Sequence, residues 1–214
     1  MTVVNLTLNY QDGKEIKAPF VILKQNTTEE EFWTFANEDI DCELLDEVLV
    51  IHSPAIDEHE DIFSYLMTIF RAYLDASGQG KVRGSRFVMR LTQKWSPEPD
   101  LLVITPESYE NLREGYLDGP ADITIEILSD STREIDLEKK LPQYLEAGVK
   151  EAWIIDPKEK TIQIHFQDEI DAYPESSSDQ VILSKVLPGL KIKVKWIWNR
   201  ENFPSHQVLQ ELLP

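Results

Sequence analysis

The segment Gly119-Pro-Ala-Asp-Ile-Thr-Ile-Glu-Ile-Leu-Ser-Asp-Ser-Thr132 carries the clearest structural pattern in the chain. Isoleucines at positions 123, 125 and 127 alternate with Asp122, Thr124 and Glu126, which is the period of two expected for a β-strand. β-Branched residues dominate the segment and favour the same structure. One predicted face is apolar and suits a core. The other carries two carboxylates, which are costly to bury unless they are paired or bind a metal.

A helical pattern follows this strand and ends at Gly148, a typical residue just after a helix C-terminus. The apolar stripe of this helix is formed by Leu137, Leu141, Tyr144 and Leu145. Residues 152–155 then predict a second strand, closed by the turn signal Asp156-Pro157. Strand, helix and strand in this order predict a βαβ unit.

The bulk composition is that of a globular domain. With 214 residues and 42% hydrophobic content, the chain is long enough for one domain with a sizeable core. No secretory signal and no apolar run of about 20 residues is seen, so no membrane association is expected. The single cysteine, Cys42, excludes an intramolecular disulfide and favours the cytoplasm. The net charge of −18 opposes binding of nucleic acid unless basic residues cluster locally.

The full pattern predicts one α/β domain over residues 1–214, with a mixed central sheet flanked by helices. Residues 1–27 are expected to form an N-terminal β-hairpin extension, with strands at 3–10 and 16–23 around the turn Asp12-Gly13. Residues 43–190 are expected to form the core. In this region and beyond, we predict strands at 43–51, 101–104, 161–166, 181–183 and 191–198, helices at 56–73 and after Pro204, and loops at 107–118 and 167–180.

Residues 81–95 are a local exception to the acidity of the chain. They contain five basic residues and no acidic one: Lys81, Arg83, Arg86, Arg90 and Lys94. If the segment is one strand, Arg86, Arg90 and Lys94 lie on the same face. That face could contact the phosphates of DNA. It could equally be ordinary outward charge on a sheet.

Two acidic residues are expected to meet at the ends of neighbouring strands. Asp100 begins one predicted strand and Glu126 stands near the end of another. Antiparallel pairing would place the two carboxylates about 5 Å apart at Cβ. Carboxylates at this distance repel one another unless a proton or a cation lies between them. Mg²⁺ and Mn²⁺ prefer such oxygen ligands, so the pair is a candidate metal site. The alternative is two unrelated acids at strand ends.

The helix after Glu126 offers a lysine to this pair. Lys140 lies beside the apolar stripe, so its aliphatic stem can run over the sheet and bring the ammonium toward Glu126. Lys139 is rotated by about 100° and is expected to face solvent. The alternative for Lys140 is a surface ion pair with Asp136 at i, i+4, which would contribute little to stability.

The order and spacing of these residues resemble the Uma-type restriction endonuclease family, a branch of the PD-(D/E)XK nuclease superfamily. The similarity covers about residues 43–157. It is carried by Asp100, Asp122, Glu126, Ser129, Ser131, Thr132, Asp136, Lys140, Tyr144, Gly148, Val149, Glu151, Trp153, Asp156 and Pro157. The resemblance implies a restriction endonuclease-like fold, a divalent metal and DNA as substrate.

The resemblance also implies roles for particular residues. Asp100 and Glu126 would be metal ligands, and Lys140 would replace the superfamily lysine, because Glu126-Ile127-Leu128 lacks one. Glu43 and His59 match recurrent positions of the family and, with Asp122, are secondary candidates. Pro142 departs from the pattern and predicts a kink in the helix that carries Lys140.

Two functional hypotheses follow. The first is a Mg²⁺-dependent endodeoxyribonuclease, in which Asp100, Glu126 and Lys140 carry the chemistry. The second is a nuclease fold retained as a binding or regulatory module without cleavage. A homodimer is expected for cleavage of two strands. The contact between copies could come from the apolar residues near the C-terminus, which are Trp196, Ile197, Trp198, Phe203 and Leu212.

Overall fold

A computed structural model describes residues 20–36, 40–84 and 86–213. The strands are β1 (Val21–Lys24), β2 (Cys42–Leu45), β3 (Val48–His52), β4 (Lys81–Gly84), β5 (Val88–Arg90), β6 (Trp95–Ser96), β7 (Leu101–Ile104), β8 (Tyr116–Asp118), β9 (Ile123–Ile127), β10 (Glu151–Asp156), β11 (Thr161–His165), β12 (Ile170–Pro174), β13 (Val181–Leu183) and β14 (Lys191–Lys193). The α-helices are α1 (Glu29–Phe35), α2 (Asp57–Ser77), α3 (Arg133–Ile135), α4 (Leu141–Ala147), α5 (Val194–Trp198) and α6 (Ser205–Leu212). Short 3₁₀ helices cover Pro106–Asn111 and Glu175–Ser177.

A six-stranded mixed sheet forms the centre of the fold, in the order β12-β11-β10-β9-β7-β4. β9 and β10 are parallel, and the helical segment between them completes the predicted βαβ unit. The other neighbouring pairs are antiparallel. β9 is buried on both faces, because α2 and the C-terminal segment cover one side while α4 covers the other. The predicted α/β fold with a mixed central sheet is confirmed.

A second sheet, in the order β1-β3-β2-β6, lies beside the first. The prediction of one strand over residues 43–51 is wrong, because the chain reverses in the middle of this apolar run. Asp46 and Glu47 adopt φ angles of 52° and 64°, as in two-residue hairpin turns with both residues in the left-handed region. The turn pairs β2 with β3 and places Glu43 on the inner side of the sheet, where its side chain is 1% exposed.

The basic segment 81–95 is divided among three sheets, so the single predicted strand is wrong. β4 joins the six-stranded sheet, β5 pairs with β8, and β6 pairs with β2. Arg86, with φ of 71°, lies at the break. In a single strand Val88 would lie on the same face as Arg86 and Arg90, but it is buried in the cluster around α1.

The helix that carries Lys140 contains a widened turn. Between α3 and α4, Asp136–Lys140 form a π-helical turn, in which Leu141 N–H bonds to Asp136 C=O. Pro142 stands just after it, in the first turn of α4, where a missing N–H is tolerated. The distortion predicted from Pro142 therefore takes the form of a π turn that precedes the proline, and such turns are frequent at functional sites.

The C-terminal segment packs on the chain's own core. The predicted strand over residues 191–198 ends at Lys193 and continues as α5, whose Trp196, Ile197 and Trp198 are buried. Phe203 and Leu212 are partly buried against the same cluster. These side chains therefore do not form the free apolar surface that the predicted dimer contact required.

Two further expectations are resolved in part. The acidic region 167–180 was predicted as a loop but contains β12, an edge strand of the central sheet. Of the predicted N-terminal hairpin, residues 3–10 and the turn Asp12-Gly13 lie outside the described residues, whereas β1 falls in the expected return strand and pairs with β3. In the described ranges, the structure contains no helix that combines the length and the apolarity needed to cross a membrane.

Candidate active site

Asp100 and Glu126 lie side by side on adjacent strands. β7 and β9 are antiparallel, with Leu101 opposite Ile125, so the next positions in the same register are Asp100 and Glu126. Opposed side chains in such a pair are about 5 Å apart at Cβ. The N–H of Asp100 donates to Oε2 of Glu126 at 3.4 Å. The antiparallel pairing predicted from the sequence is confirmed.

Asp100 is fixed through one of its two carboxylate oxygens. The N–H of Ile127 donates to Oδ2 at 2.7 Å, and Nε2 of His59 lies 3.2 Å from the same atom. Burial would lower the pKa of His59, but the hydrogen bond and the charge of Asp100 outweigh it and raise the pKa. The Asp100 side chain is 24% exposed. In the described part of the chain no donor contacts Oδ1, which leaves that oxygen available.

Glu126 is buried, with 4% of its side chain exposed. The Tyr144 hydroxyl donates to Oε1 at 2.5 Å, and Nζ of Lys140 lies 2.9 Å from the same atom. Burial raises the pKa of Glu126. Lys140 opposes this shift, but nearby carboxylates reinforce it, and the net direction is upward. The described contact of the other oxygen, Oε2, is the long hydrogen bond from the Asp100 N–H. Oε2 therefore keeps lone pairs on the side where Asp100 lies.

Lys140 lies at the centre of three buried carboxylates. In addition to its contact with Glu126, its Nζ is 3.2 Å from Oε2 of Glu43 and 3.3 Å from Oδ1 of Asp136. An ammonium has three N–H donors, so each can meet one carboxylate. Burial alone would lower the pKa of Lys140, but these negative charges outweigh it and raise the pKa. The i, i+4 pair with Asp136 does form, although in the interior, and Lys139 is exposed as predicted.

Glu43 extends the cluster toward the second sheet. Burial would raise the pKa of Glu43, but the charge of Lys140 and the hydrogen bond to His52 lower it to about 2. Nε2 of His52 lies 3.0 Å from Oε1 of Glu43, and the N–H of Glu98 donates to Oε2 at 3.1 Å. Burial, followed by the charge of Glu43, raises the pKa of the Glu98 carboxyl to about 9. Oε2 of Glu98 is buried without a hydrogen-bond partner among the described residues.

These side chains surround a cavity of about 110 Å³. Its polar lining includes Asp41, His52, Ser53, His59, Glu98, Asp100, Glu126, Ser129, Ser131, Thr132, Asp136 and Lys140. A wider depression of about 400 Å³ shares Asp100, His59 and Glu98 and adds Arg86 and Phe63. Asp100 therefore lines both the cavity and the outer depression, whereas Glu126 lines the inner cavity.

The donor set around Asp100 and Glu126 suits a magnesium-like ion. Within the described ranges no cluster of three or more histidine, cysteine, aspartate or glutamate side chains is arranged to hold a metal. Mg²⁺, however, usually keeps several waters and binds proteins through one or two carboxylates plus substrate phosphates. Oδ1 of Asp100 and Oε2 of Glu126 supply two such oxygens. The residues present therefore fit a hydrated divalent cation, and not a site built only from protein ligands.

The structure does not bring every predicted site residue to this cavity. Asp122 lies at the other end of β9, where Thr105 N–H and Oγ donate to its Oδ2 at 2.7 and 2.9 Å and Lys150 pairs with its Oδ1 at 2.8 Å. Four residues along a strand span about 13 Å. The structure therefore does not bring Asp122 to this cavity, and the residue ties β9 to the end of β7.

The three predicted DNA-binding residues are also dispersed. Arg90 pairs with Glu29 at 2.5 Å and with Asp118 at 2.9 Å, and Lys94 pairs with Glu47 at 3.0 Å. Arg86 is exposed and lines the wider depression beside Asp100. The common face proposed for these three residues is wrong, because they belong to different parts of the broken segment.

Several residues of the site were not singled out from the sequence. Tyr144 was assigned to the packing stripe, yet its hydroxyl contacts Glu126. Glu98 stands two residues before Asp100, which is the period that places two side chains on one side of an extended segment. His52 offered no local signal, because its partner Glu43 becomes a neighbour only through the β2–β3 hairpin.

Comparison with known proteins adds a family and a fold. The family model described as "Uma2: Putative restriction endonuclease" matches residues 29–195. Among solved structures, the chain is similar to a "putative nuclease belonging to DUF820" from Anabaena variabilis, with a TM-score of 0.69 and 19% identity, covering 80% of this chain and 97% of that chain. No curated protein matches the chain. At this identity the structural similarity establishes the fold alone.

Proposed function

The chain belongs to the Uma2 family, whose description is "Putative restriction endonuclease", and we propose that it is a divalent-metal-dependent endonuclease that hydrolyses the phosphodiester bonds of DNA. The observation that carries this proposal is the opposed pair Asp100 and Glu126 beside a buried lysine, with one oxygen on each carboxylate that no short hydrogen bond engages among the described residues. A fold alone does not define an activity. Two carboxylates that can hold a metal, beside a positively charged lysine, are groups that suit metal-assisted phosphodiester hydrolysis.

Asp100 and Glu126 would hold Mg²⁺ or Mn²⁺. Such an ion, when bound, lowers the pKa of water and stabilises negative charge on a phosphate. The protein contributes the position of the ligands. Ile127 N–H and His59 fix Asp100, and the Tyr144 hydroxyl fixes Glu126. Hydrogen bonds from neighbouring residues to metal ligands orient those ligands and tune the affinity for the metal.

Lys140 keeps three carboxylates together in the interior. Without a cation at this place, Glu43, Glu126 and Asp136 would repel one another at short range. Its ammonium contributes positive charge next to the carboxylate pair, where a scissile phosphate would lie. In a water-poor cavity such a charge acts more strongly than at the surface.

The proposal is tested by incubating supercoiled plasmid with the purified protein and Mg²⁺ or Mn²⁺. We expect nicked and linear DNA with metal, none with EDTA, and none with Asp100→Asn. Asp122→Asn is the matched control, since it changes a buried aspartate of the same sheet that lies away from the cavity. Equal cleavage by Asp100→Asn and the parent protein would refute the assignment.

A second candidate function is a nuclease fold that binds a ligand without cleaving it. The observation in its favour is the engagement of Lys140 Nζ by three carboxylates within 3.3 Å, which leaves no N–H donor for a phosphate. Isothermal titration with Mg²⁺ separates the two candidates when combined with the plasmid assay. Metal binding that depends on Glu126, with no cleavage of single-stranded or duplex DNA, would favour the binding module.

The assembly remains part of the proposal. Cleavage of both strands of a duplex is simplest with two active sites, so we propose a homodimer with two-fold symmetry. The apolar C-terminal side chains are used in the chain's own core, so the contact would have to form elsewhere. Light scattering at micromolar concentration gives the test, and a monomer would remove this part of the proposal.

A further inference from the structure

In the part of the chain that the structure describes, few basic residues have no carboxylate partner. Most described lysines and arginines form an ion pair with aspartate or glutamate, including Arg90, Lys94 and Lys150. Such pairs neutralise the charge that a nucleic acid would contact. In the described ranges, the lysines and arginines for which no interaction with a carboxylate is found are Lys81, Arg83, Lys139 and Lys191.

Two of these four cations lie on β4, which is at the opposite edge of the central sheet from β12. Lys81 is paired in register with Ile104, and Arg83 with Leu102. Residues opposite each other on neighbouring strands share a face, and both partners belong to the core cluster that includes Tyr144. Because Tyr144 contacts Glu126, Lys81 and Arg83 lie on the same face of the sheet as the candidate active site.

Aromatic rings hold both cations against this face. Nζ of Lys81 lies 4.6 Å from the ring centre of Tyr109, and Cζ of Arg83 lies 5.9 Å from the ring centre of Phe87. Cation–π contacts at exposed positions are weak, but they restrict where a long side chain can go. Both rings are partly exposed. The edge therefore combines positive charge with aromatic surface, the pairing found where proteins bind single-stranded nucleic acid.

The strand leads directly to the carboxylate pair. Gly84 ends β4 opposite Leu101, and a Cβ on this glycine would lie 2.7 Å from the carbonyl oxygen of Asp100. Only glycine permits this approach of the two backbones. Arg86 follows and lines the depression beside Asp100 and Phe63. Lys81, Arg83 and Arg86 thus mark a path that ends at the proposed metal ligands.

We propose that this edge binds single-stranded nucleic acid and delivers it to Asp100 and Glu126, with Lys81 and Arg83 contacting consecutive phosphates. Alternate residues of a strand are about 7 Å apart, comparable with the separation of neighbouring phosphates along one strand. A duplex would present a second row of phosphates to a protein with a net charge of −18. The inference rests on the proposed nuclease function and specifies that each strand is cleaved while it is unpaired, as it is in the locally unpaired regions of a negatively supercoiled plasmid.

The test measures binding separately from cleavage. A short dye-labelled oligothymidylate with phosphorothioate linkages, which resist hydrolysis, is titrated with the full chain in Mg²⁺ at several salt concentrations. The variant is Lys81→Gln with Arg83→Gln. The matched control is Lys139→Gln with Lys191→Gln, which removes the same charge from exposed lysines that lie away from β4. Thermal unfolding checks that both proteins fold.

We expect the β4 variant to bind more weakly and to reduce the slope of log K against log salt by about 1.4, since each lost phosphate contact on a single strand removes about 0.7. The control should keep the parent slope. Two results would overturn this proposal and leave the nuclease function intact, provided that the parent protein still cleaves plasmid. One is an equal slope for the β4 variant and the parent protein, and the other is tighter binding of the matching duplex by the parent protein. Failure of the parent protein to bind or cleave any nucleic acid overturns the nuclease function itself, and this inference with it.

Discussion

Two glutamates on neighbouring parallel strands, Glu126 on β9 and Glu151 on β10, are both buried yet have opposite surroundings. Glu151 is 0% exposed, and all the hydrogen-bond donors that it meets among the described residues are neutral. Trp153 Nε1 donates to Oε1 at 2.7 Å. Oε2 accepts three hydrogen bonds, from the Ser184 hydroxyl and from the N–H groups of Lys185 and Val186, at 3.0, 3.0 and 3.2 Å.

Glu126 instead shares one ammonium with two other carboxylates and lies opposite Asp100. The local sequence pattern of the two glutamates is the same, an acidic residue in an apolar strand. Their partners differ because Glu151 lies at the start of β10 beneath a later loop, whereas Glu126 lies near the end of β9 beneath the cavity. Complete satisfaction by neutral donors identifies a structural carboxylate. Clustered charge at a cavity is typical of a functional one.

The largest expected effect comes from Lys140→Met. The change leaves three buried carboxylates without their cation, and breaking a buried ion pair in this way costs about 3–5 kcal/mol. Urea unfolding at neutral pH measures this loss in the free energy of unfolding. The difference between the variant and the parent protein should become smaller at acidic pH, because the carboxylates become protonated. Lys139→Met, at the adjacent exposed position, should change the free energy of unfolding by less than about 0.5 kcal/mol. Equal stabilities of the two variants would show that the cluster around Lys140 does not form.

The next effect separates the two glutamates by activity. Glu126→Gln should lower metal-dependent cleavage by about 10²-fold or more, since it removes a charged ligand at the proposed site, and should weaken Mg²⁺ binding in calorimetry. Glu151→Gln should keep both properties in the protein that remains folded. Its expected cost is a lower free energy of unfolding, by about 1–3 kcal/mol, because at least one buried donor loses its acceptor. If Glu151→Gln lost cleavage and Mg²⁺ binding while Glu126→Gln kept both, the distinction drawn between the two glutamates would be wrong.

The sequence predicts the part of the fold that depends on local periodicity. Alternating residues identify β9, helical spacing identifies α2, and the strand order implies that Asp100 meets Glu126. The first two features depend on a pattern contained within one segment, and the third depends on the antiparallel pairing of two strands that follow one another closely in the chain. Helical spacing predicted the position of Lys140 beside the apolar stripe, and the resemblance to the nuclease family implied its role. The match to the family model confirms that resemblance.

The parts that failed depend on backbone conformations without a sequence signal. Asp46, Glu47 and Arg86 adopt positive φ angles, which favour glycine and asparagine, so neither the β2–β3 turn nor the break after β4 could be recognised. The contacts of Lys140 with Glu43 and of His52 with Glu43 join distant segments. Such partners are chosen by the packing of the second sheet against the helix, which periodicity does not encode.

A moderate, pH-dependent effect is expected at the opposite end of β9. Burial would raise the pKa of Asp122, but the Lys150 and Thr105 donors outweigh it and lower the pKa. A carboxyl group with a lower pKa in the folded state stabilises the protein above its unfolded pKa of about 4, and the contribution is lost as pH falls through the folded pKa. Asp122→Asn should therefore cost about 1.5–3 kcal/mol at pH 7, with a smaller difference in acid.

Urea unfolding of Asp122→Asn over a series of pH values provides the measurement. Asp130→Asn is the control, because Asp130 is exposed and pairs only with the exposed Lys158 in the described residues. Cleavage by Asp122→Asn should equal that of the parent protein. A variant that is stable but inactive would return Asp122 to the active site and would extend the functional region along the whole of β9.

The smallest effect is expected from Ser184→Ala beside Glu151. The serine hydroxyl donates to Oε2 of Glu151 at 3.0 Å and accepts the N–H of Leu187 at 2.9 Å. After its removal, Glu151 keeps three neutral donors, so the carboxylate stays largely satisfied. The loss should be about 1 kcal/mol in the free energy of unfolding, with Mg²⁺ binding and cleavage unchanged.

Ser64→Ala, which removes an exposed helix hydroxyl, is the control and should change the free energy of unfolding by less than about 0.5 kcal/mol. If Ser184→Ala reduced cleavage while the protein stayed folded, Glu151 would be coupled to the active site through β9 and β10. Neutral donors would then not be sufficient to identify a structural carboxylate in this fold.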